Sequence, residues 1–159
     1  MTLPQPVPLI IATAQRATLR DQAQRAYPKE CCGLLIGRED GAELVVSRRL
    51  VVTQVQPSVN QDPDGGARAF EVDPALILYW HKRLRGTAER IIGHYHSHPN
   101  EPARPSVTDL DRAWEPGMIW LILSVGRGKL TELGAFRYTE EGRGPALRRG
   151  FEPVELVEA

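Results

Sequence analysis

Three histidines, a serine and an aspartate lie close together in the segment HYHSHPNEPARPSVTD, residues 94–109. His94, His96 and His98 alternate, so on a strand their side chains would face one side of the sheet, spaced about 6.5–7 Å at Cα. Two imidazoles at this spacing can bind one zinc ion, which in catalytic sites keeps three protein ligands and a water. The segment therefore predicts a metal site.

The residue spacing leaves two ligand sets open, which share two histidines: His94, His96 and His98, or His96, His98 and Asp109. The prolines in residues 99–105 indicate that the chain leaves the sheet after His98. Ser106 would then begin a helix whose first turn carries Asp109. Taken alone, Ser106 and Asp109 are also typical of an ordinary helix cap without any metal.

A longer pattern includes these residues and one glutamate far upstream. It consists of Glu30 in PKECCGLLIG, His96-Ser97-His98-Pro99, and Ser106-Val107-Thr108-Asp109. This pattern resembles the signature of the JAMM metalloproteases, the catalytic MPN-domain family, because several residue types recur at fixed internal spacing. The resemblance extends from about residue 12 to residue 138.

The resemblance implies a role for each motif residue. One zinc ion per chain would be bound by His96, His98 and Asp109, and Glu30 would act as the general acid and base. Ser106 would stabilise the oxyanion of the tetrahedral intermediate while also capping its helix. His94 lies where family members carry varied residues, so a neighbouring, structural role is expected for it.

The resemblance also implies the reaction and the substrate class. Family members hydrolyse amide bonds, notably isopeptide bonds at the C-terminal Gly-Gly of ubiquitin-like proteins. The chain is short, which resembles the compact prokaryotic type, so a ubiquitin-like sulfur-carrier protein is the expected substrate. Residues 54–69 and 99–105 are candidate substrate-facing walls. A non-catalytic MPN-type scaffold or partner-binding domain is the alternative, although such domains lose the ligands that this chain carries.

Hydrophobic periodicity and turn residues predict the elements that position these side chains. Asp73 and Pro74 are the cap and first residue of one helix, and residues 54–69 form an exposed loop. The predicted helices are residues 12–26, 74–85 and 106–114, and the predicted strands are residues 31–38, 43–53, 90–96, 118–125 and 132–139. The tail from residue 140 either adds an edge strand or stays loose. The tryptophans are expected in the core: Trp80, Trp114 and Trp120.

Composition and element order restrict the fold and the cell compartment. The 159 residues predict one domain over residues 1–159, and equal numbers of acidic and basic residues, 20 each, disfavour nucleic-acid or membrane binding. Adjacent Cys31 and Cys32 would point to opposite faces of a strand, which suits a reducing cytoplasm. Interspersed helices and strands predict an α+β fold, in α/β/α layers, with a mixed, largely antiparallel sheet. The family resemblance implies the same curved sheet, of the MPN and cytidine-deaminase-like type.

Overall fold

The computed structural model describes residues 7–41 and 48–159. The helices are α1 (Thr13–Ala26), α2 (Pro74–Arg83) and α3 (Val107–Arg112), with a short 3-10 turn at Gly144–Ala146. The strands are β1 (Leu9–Ile11), β2 (Cys32–Asp40), β3 (Arg49–Ser58), β4 (Arg90–Pro99), β5 (Ile119–Gly126), β6 (Lys129–Glu141), β7 (Arg148–Val154) and β8 (Leu156–Glu158). In this part of the chain, no helix is long and apolar enough to cross a membrane.

The described strands form one sheet of eight strands in the order β7-β6-β5-β4-β2-β3-β1-β8. The sheet is mixed, because β4 pairs with β5 in parallel and β1 pairs in parallel with β3 and β8. The other pairings are antiparallel. Strand β4, which carries the histidines, is therefore central, and buried β2 and β5 lie on either side of it.

Helices cover both faces of the sheet, which confirms the predicted α+β fold in layers. On one face α1 contributes Leu19 and Ala23 to a core with Leu35, Ile92 and Leu121. On the other face α2 packs Trp80 and Leu84 against apolar residues of β2 and β4, and Ala113, directly after α3, lies in a smaller cluster with Trp120 and Tyr138. His94 and His96 of β4 face this second side, where they contact Phe70 and Trp120.

The two adjacent cysteines are buried on opposite faces of the sheet, as strand alternation predicts. Cys31 lies in the core beneath α1, and Cys32 lies in the core beneath α2. Both are free thiols.

Local signals predicted the beginnings of two helices correctly. Asp73 is the N-cap of α2 and accepts a hydrogen bond from Ala75 N at 2.9 Å, with Pro74 at the first helical position. Ser106 is the N-cap of α3. Helix α3 ends at Arg112, however, which is two residues earlier than predicted.

The predicted loop over residues 54–69 is wrong in its first part, because β3 continues to Ser58. The polar residues of this part pair with apolar β2, as Gln56 does with Leu34, so the partner strand supplies backbone hydrogen bonds. Residues 42–47, which include the start of the predicted strand 43–53, lie outside the described residues. Strand β1 was not predicted, and the tail from residue 140 pairs as β7 with β6 and as β8 with β1.

The expectation that every tryptophan is in the core is wrong for Trp114. Trp80 and Trp120 are buried, but Trp114 is 78% exposed. The cause is the early end of α3: Ala113 has extended backbone angles, so Trp114 no longer follows the helical face that packs on the sheet.

Candidate metal centre

His96 and His98 bring two ring nitrogens together on one face of β4. Their Nε2 atoms lie 2.9 Å apart, and both side chains are buried. The ring of Phe70 stacks on His96 with centroids 4.1 Å apart, which fixes the plane of that imidazole. Since Pro102 O can only accept, His98 Nδ1 donates to it at 3.0 Å, and in the neutral ring the lone pair of His98 therefore lies on Nε2.

Asp109 reaches the same point from the first turn of α3. Its Oδ1 lies 3.3 Å from His96 Nε2, and its Oδ2 lies 3.1 Å from His98 Nε2. A reciprocal cap aims this carboxylate: Ser106 N donates to Asp109 Oδ2 at 2.9 Å, and Asp109 N donates to Ser106 Oγ at 3.1 Å. The Asp109 side chain thus takes part both in the helix cap with Ser106 and in the contacts with the two histidines.

The charge states of these groups suit metal binding. Burial lowers the pKa of His96, which favours the neutral ring that a metal requires. Burial would raise the pKa of Asp109, but hydrogen bonds from His96 and His98 hold it well below its usual range, so the carboxylate is ionised. Burial opposes protonation of His98, but its hydrogen bond with Asp109 prevails and raises its pKa, so a proton competes there with a metal.

The three groups fit a zinc ion. Bonds of about 2.0–2.1 Å in a tetrahedral site place neighbouring ligand atoms roughly 3.3 Å apart. The separations of 2.9, 3.1 and 3.3 Å among the two Nε2 atoms and the carboxylate oxygens are close to that value. Two ring nitrogens and an ionised carboxylate face one point, so protons or a cation must lie between them. The donor types, two imidazoles and one carboxylate, are those that zinc accepts.

Glu30 supplies a second carboxylate beside the histidines. It is 7% exposed and lies just before β2, with a side-chain oxygen within 4.8 Å of donor atoms of His96 and His98. Burial raises its pKa to about 7, an effect that His98 opposes and Asp109 reinforces. Glu30 and Asp109 both flank the histidine pair, but only Asp109 is within 3.3 Å of each Nε2. Of the two carboxylates, Asp109 therefore lies nearer to both Nε2 atoms, and Glu30 lies just beyond it.

His94 faces the same side of β4 but does not join this convergence. Its ring lies edge-on to Trp120 at 4.2 Å and tilted against Phe70 at 5.5 Å. Burial lowers its pKa to about 3, so the ring is neutral. The geometry thus favours the set with Asp109 over the three-histidine set, which the sequence left open.

Asn60 and Phe70, which the sequence analysis did not single out, position the candidate site. Asn60 Nδ2 donates to Glu30 O and to Ala69 O, both at 3.1 Å, and its Oδ1 accepts from the backbone N–H of residues 62 and 71, both at 3.0 Å. Glu30 N also donates to Gly66 O at 2.7 Å. The loop that carries Phe70 is thus joined to the backbone of Glu30. A turn-rich stretch containing asparagine was the only signal in the sequence.

Comparisons with known proteins identify the family and relatives of the chain. A family model described as prokaryotic homologs of the JAB domain matches residues 13–138. A desampylase from Haloferax volcanii is 30% identical over 105 residues, which cover 66% of this chain and 69% of that protein. A probable TtuB-protein conjugate cleaving protease from Thermus thermophilus is 34% identical over 89 residues. That alignment covers 56% of this chain and only about half of the relative, 52%.

Solved structures share the fold over nearly the whole chain. A protein from Desulfitobacterium hafniense, solved in solution, superposes with a TM-score of 0.74 at 29% identity and covers 95% of this chain and 92% of its own. A JAB1/MPN domain protein from Archaeoglobus fulgidus superposes with a TM-score of 0.53 at 19% identity, covering 98% and 99%. The second likeness shows the fold alone. The MPN-type fold that the motif implied is thereby confirmed.

Proposed function

Since the chain belongs to the family of prokaryotic homologs of the JAB domain, we propose that it is a zinc-dependent peptidase or isopeptidase. It would cleave the amide bond after the C-terminal Gly-Gly of a ubiquitin-like or sulfur-carrier protein. The observation that carries this proposal is the convergence of His96, His98 and Asp109 beside the buried Glu30. Two relatives named for removing ubiquitin-like conjugates support the substrate class.

His96, His98 and Asp109 would hold the zinc ion. When bound, zinc lowers the pKa of a coordinated water to about 7 and polarises a carbonyl group. The protein holds the ligands ready for this: Pro102 O fixes the tautomer of His98, and the Ser106 backbone N–H orients the carboxylate of Asp109. These supporting bonds reduce the reorganisation that binding would require.

Glu30 would move the proton. In the metal-free site burial raises the pKa of Glu30 to about 7. A buried carboxyl beside the metal ligands would take a proton from the attacking water and return it to the leaving amine. Its backbone N–H and C=O are both held, by Gly66 and Asn60, so the position of the side chain relative to the histidines is restricted. If the Glu30 carboxylate were mobile, it could bind the metal as a further ligand instead of exchanging protons.

Ser106 would donate a hydrogen bond to the developing oxyanion. Its Oγ accepts from Asp109 N, which leaves the hydroxyl proton available. Because the serine also begins α3, the rigid helix turn positions this donor as well as Asp109. Such a donor is effective because it is oriented before the reaction begins.

Glycine suits the retained side of the cleaved bond. Only a residue without Cβ lets an extended chain approach closely between walls, and the proposed walls are the loop after β3 and residues 99–105. Main-chain hydrogen bonds to an extended tail would then supply much of the affinity, as in strand addition.

Zinc content and cleavage of defined conjugates test the proposal. We expect about one zinc per chain after reconstitution, and mass spectrometry should show release of groups attached after Gly-Gly of a sulfur-carrier protein. Glu30→Gln should retain zinc but lose turnover, whereas Glu132→Gln, an exposed site on β6, should change neither. A protein that binds no transition metal after reconstitution, or that binds zinc without cleaving any such conjugate, would refute the proposal.

A further inference from the structure

A cavity of about 500 Å³ lies on the α2 side of the sheet, next to the candidate metal centre. Phe70 separates the two: its ring stacks on His96 at 4.1 Å and also forms part of the cavity wall. His94, which precedes His96 by two residues on β4, lines the same space. The ring of Phe70 thus lies between the cavity and the candidate metal centre.

The wall of this cavity is mainly apolar and aromatic. It includes Ile77 of α2, Ile91 and His94 of β4, Met118 and Trp120. His94 Nδ1 has no hydrogen-bond partner among the described residues. Such a surface favours a neutral, largely apolar occupant with a few polar atoms.

The exposed residues of the cavity wall have a different composition. They include Trp114, 78% exposed, and the charged Glu71, Arg112 and Glu115. Arg112 donates to Phe70 O at 3.0 Å, so it supports the dividing aromatic ring as well as facing solvent. An apolar interior with a charged rim is typical of a site that buries a side chain and leaves its backbone near water.

The Gly-Gly tail of the proposed substrate, which precedes the cleaved bond, has no side chain that could fill this cavity. Its last two residues are glycines, which have no side chain. An apolar cavity beside the metal centre is therefore better suited to the residue on the other side of the cleaved bond than to either glycine.

We infer that the cavity binds a large apolar or aromatic side chain of the residue that follows Gly-Gly, so that the enzyme prefers C-terminal extensions beginning with such a residue. This inference rests on the proposed isopeptidase function. A volume of about 500 Å³ is within the range of roughly 300–1,000 Å³ of sites for small organic ligands, so the cavity is large enough for an aromatic side chain. The unbranched stem of a modified lysine would leave most of this apolar wall uncovered.

Substrate preference of the zinc-loaded protein tests the inference directly. A sulfur-carrier protein would be extended after Gly-Gly by Phe, Leu, Ala or Asp, and a fifth substrate would carry a lysine isopeptide. We expect kcat/KM for Phe to exceed that for Ala by about tenfold or more, which is the usual size of discrimination in apolar pockets. Equal rates across the series, or a preference for Asp or for the lysine isopeptide, would overturn the inference but leave the isopeptidase function intact.

Two neighbouring positions on α2 provide a matched pair of variants. Ile77→Trp places an indole in the cavity, whereas Leu78 is 55% exposed and Leu78→Trp places the same indole on the surface. Ile77→Trp should bring the Phe to Ala ratio of kcat/KM close to one. Leu78→Trp should preserve the ratio, and a preserved ratio in folded Ile77→Trp would place the preference elsewhere.

A binding measurement separates the cavity from catalysis. The dipeptide Phe-Ala, which resembles a released product, would be titrated into the zinc-loaded protein while the indole N–H signals of Trp114 and Trp120 are followed by NMR. We expect these two signals to shift and that of Trp80 to stay, with Ala-Ala about tenfold weaker. Absence of shifts would overturn the inference even if Ile77→Trp failed to fold. Cleavage of no substrate in the series would refute the proposed function, and the dipeptide result would still decide whether the cavity binds an aromatic residue.

Discussion

Replacing Glu30 by glutamine should change activity and stability in opposite directions. The carboxyl group is buried, and burial raises its pKa from 4.5 to about 7. Glutamine keeps the shape and the backbone hydrogen bonds but cannot ionise or accept a proton. Loss of general acid and base catalysis should lower kcat by about 10²–10⁴-fold in the zinc-loaded protein, with zinc content unchanged.

The stability effect follows from the sign of the pKa shift. Because Glu30 keeps its proton to a higher pH in the folded chain than in the unfolded chain, the free energy of unfolding falls as pH rises from 4.5 to 7. At about 1.36 kcal/mol per pKa unit, the upper limit of this loss is about 3 kcal/mol. Water near the site screens the charge, so a loss of about 1–2 kcal/mol is expected above pH 7. In Glu30→Gln the free energy of unfolding should not fall in this way, because glutamine does not ionise.

Urea unfolding of the metal-free protein at pH 5 and pH 8 measures this effect. Wild-type protein should lose stability between the two pH values relative to Glu30→Gln, and Glu132→Gln should follow the wild type because its carboxyl is exposed. The reasoning is refuted if Glu30→Gln is less stable than the wild type at pH 8, or if its turnover stays within tenfold of wild type.

Three further substitutions test the ligands and their supports. His96→Ala should reduce zinc to below about 0.1 per chain and abolish cleavage, because it removes one of three ligands; metal analysis showing full zinc content would exclude it as a ligand. Ser106→Ala removes the helix cap, so it should lose about 1 kcal/mol of stability and lower kcat about 10–10³-fold. Ser106→Thr keeps a hydroxyl and should restore much of both. A kcat of Ser106→Ala equal to that of the wild type would exclude the oxyanion role of Ser106. Asn60→Ala leaves two backbone N–H groups and two carbonyls without this partner and should cost about 2–4 kcal/mol in urea unfolding. It should also lower kcat more than KM at full zinc content, and unchanged kcat would mean that Asn60 only stabilises the loop.

Several parts of the site were predictable because they depend on neighbouring residues. Ser106 and Asp109 are three residues apart, so the reciprocal cap that forms between them follows from local backbone geometry. His96 and His98 share a face because strand side chains alternate. The capping preferences of Asp73 and Pro74 likewise predicted the beginning of α2.

Other parts depended on partners far along the chain. The extension of β3 to Ser58 follows from pairing with β2, and Trp114 is exposed because α3 ends early. Phe70 and Asn60 are ordinary residues of a turn-rich loop in the sequence. Their contacts with His96 and Glu30 arise only when the loop folds over the sheet.

The amino-acid sequence by itself determined which residue types could bind zinc and move a proton, and how His96, His98, Ser106 and Asp109 are spaced. The tertiary structure alone decided that Glu30, 66 residues before His96, lies beside it, because β2 and β4 pair with Cys32 opposite His96. It also decided that Glu30 is buried and that an apolar cavity adjoins the site. Local hydrogen bonds depend on residues a few positions apart, whereas strand register, burial and cavities depend on the packing of the whole chain.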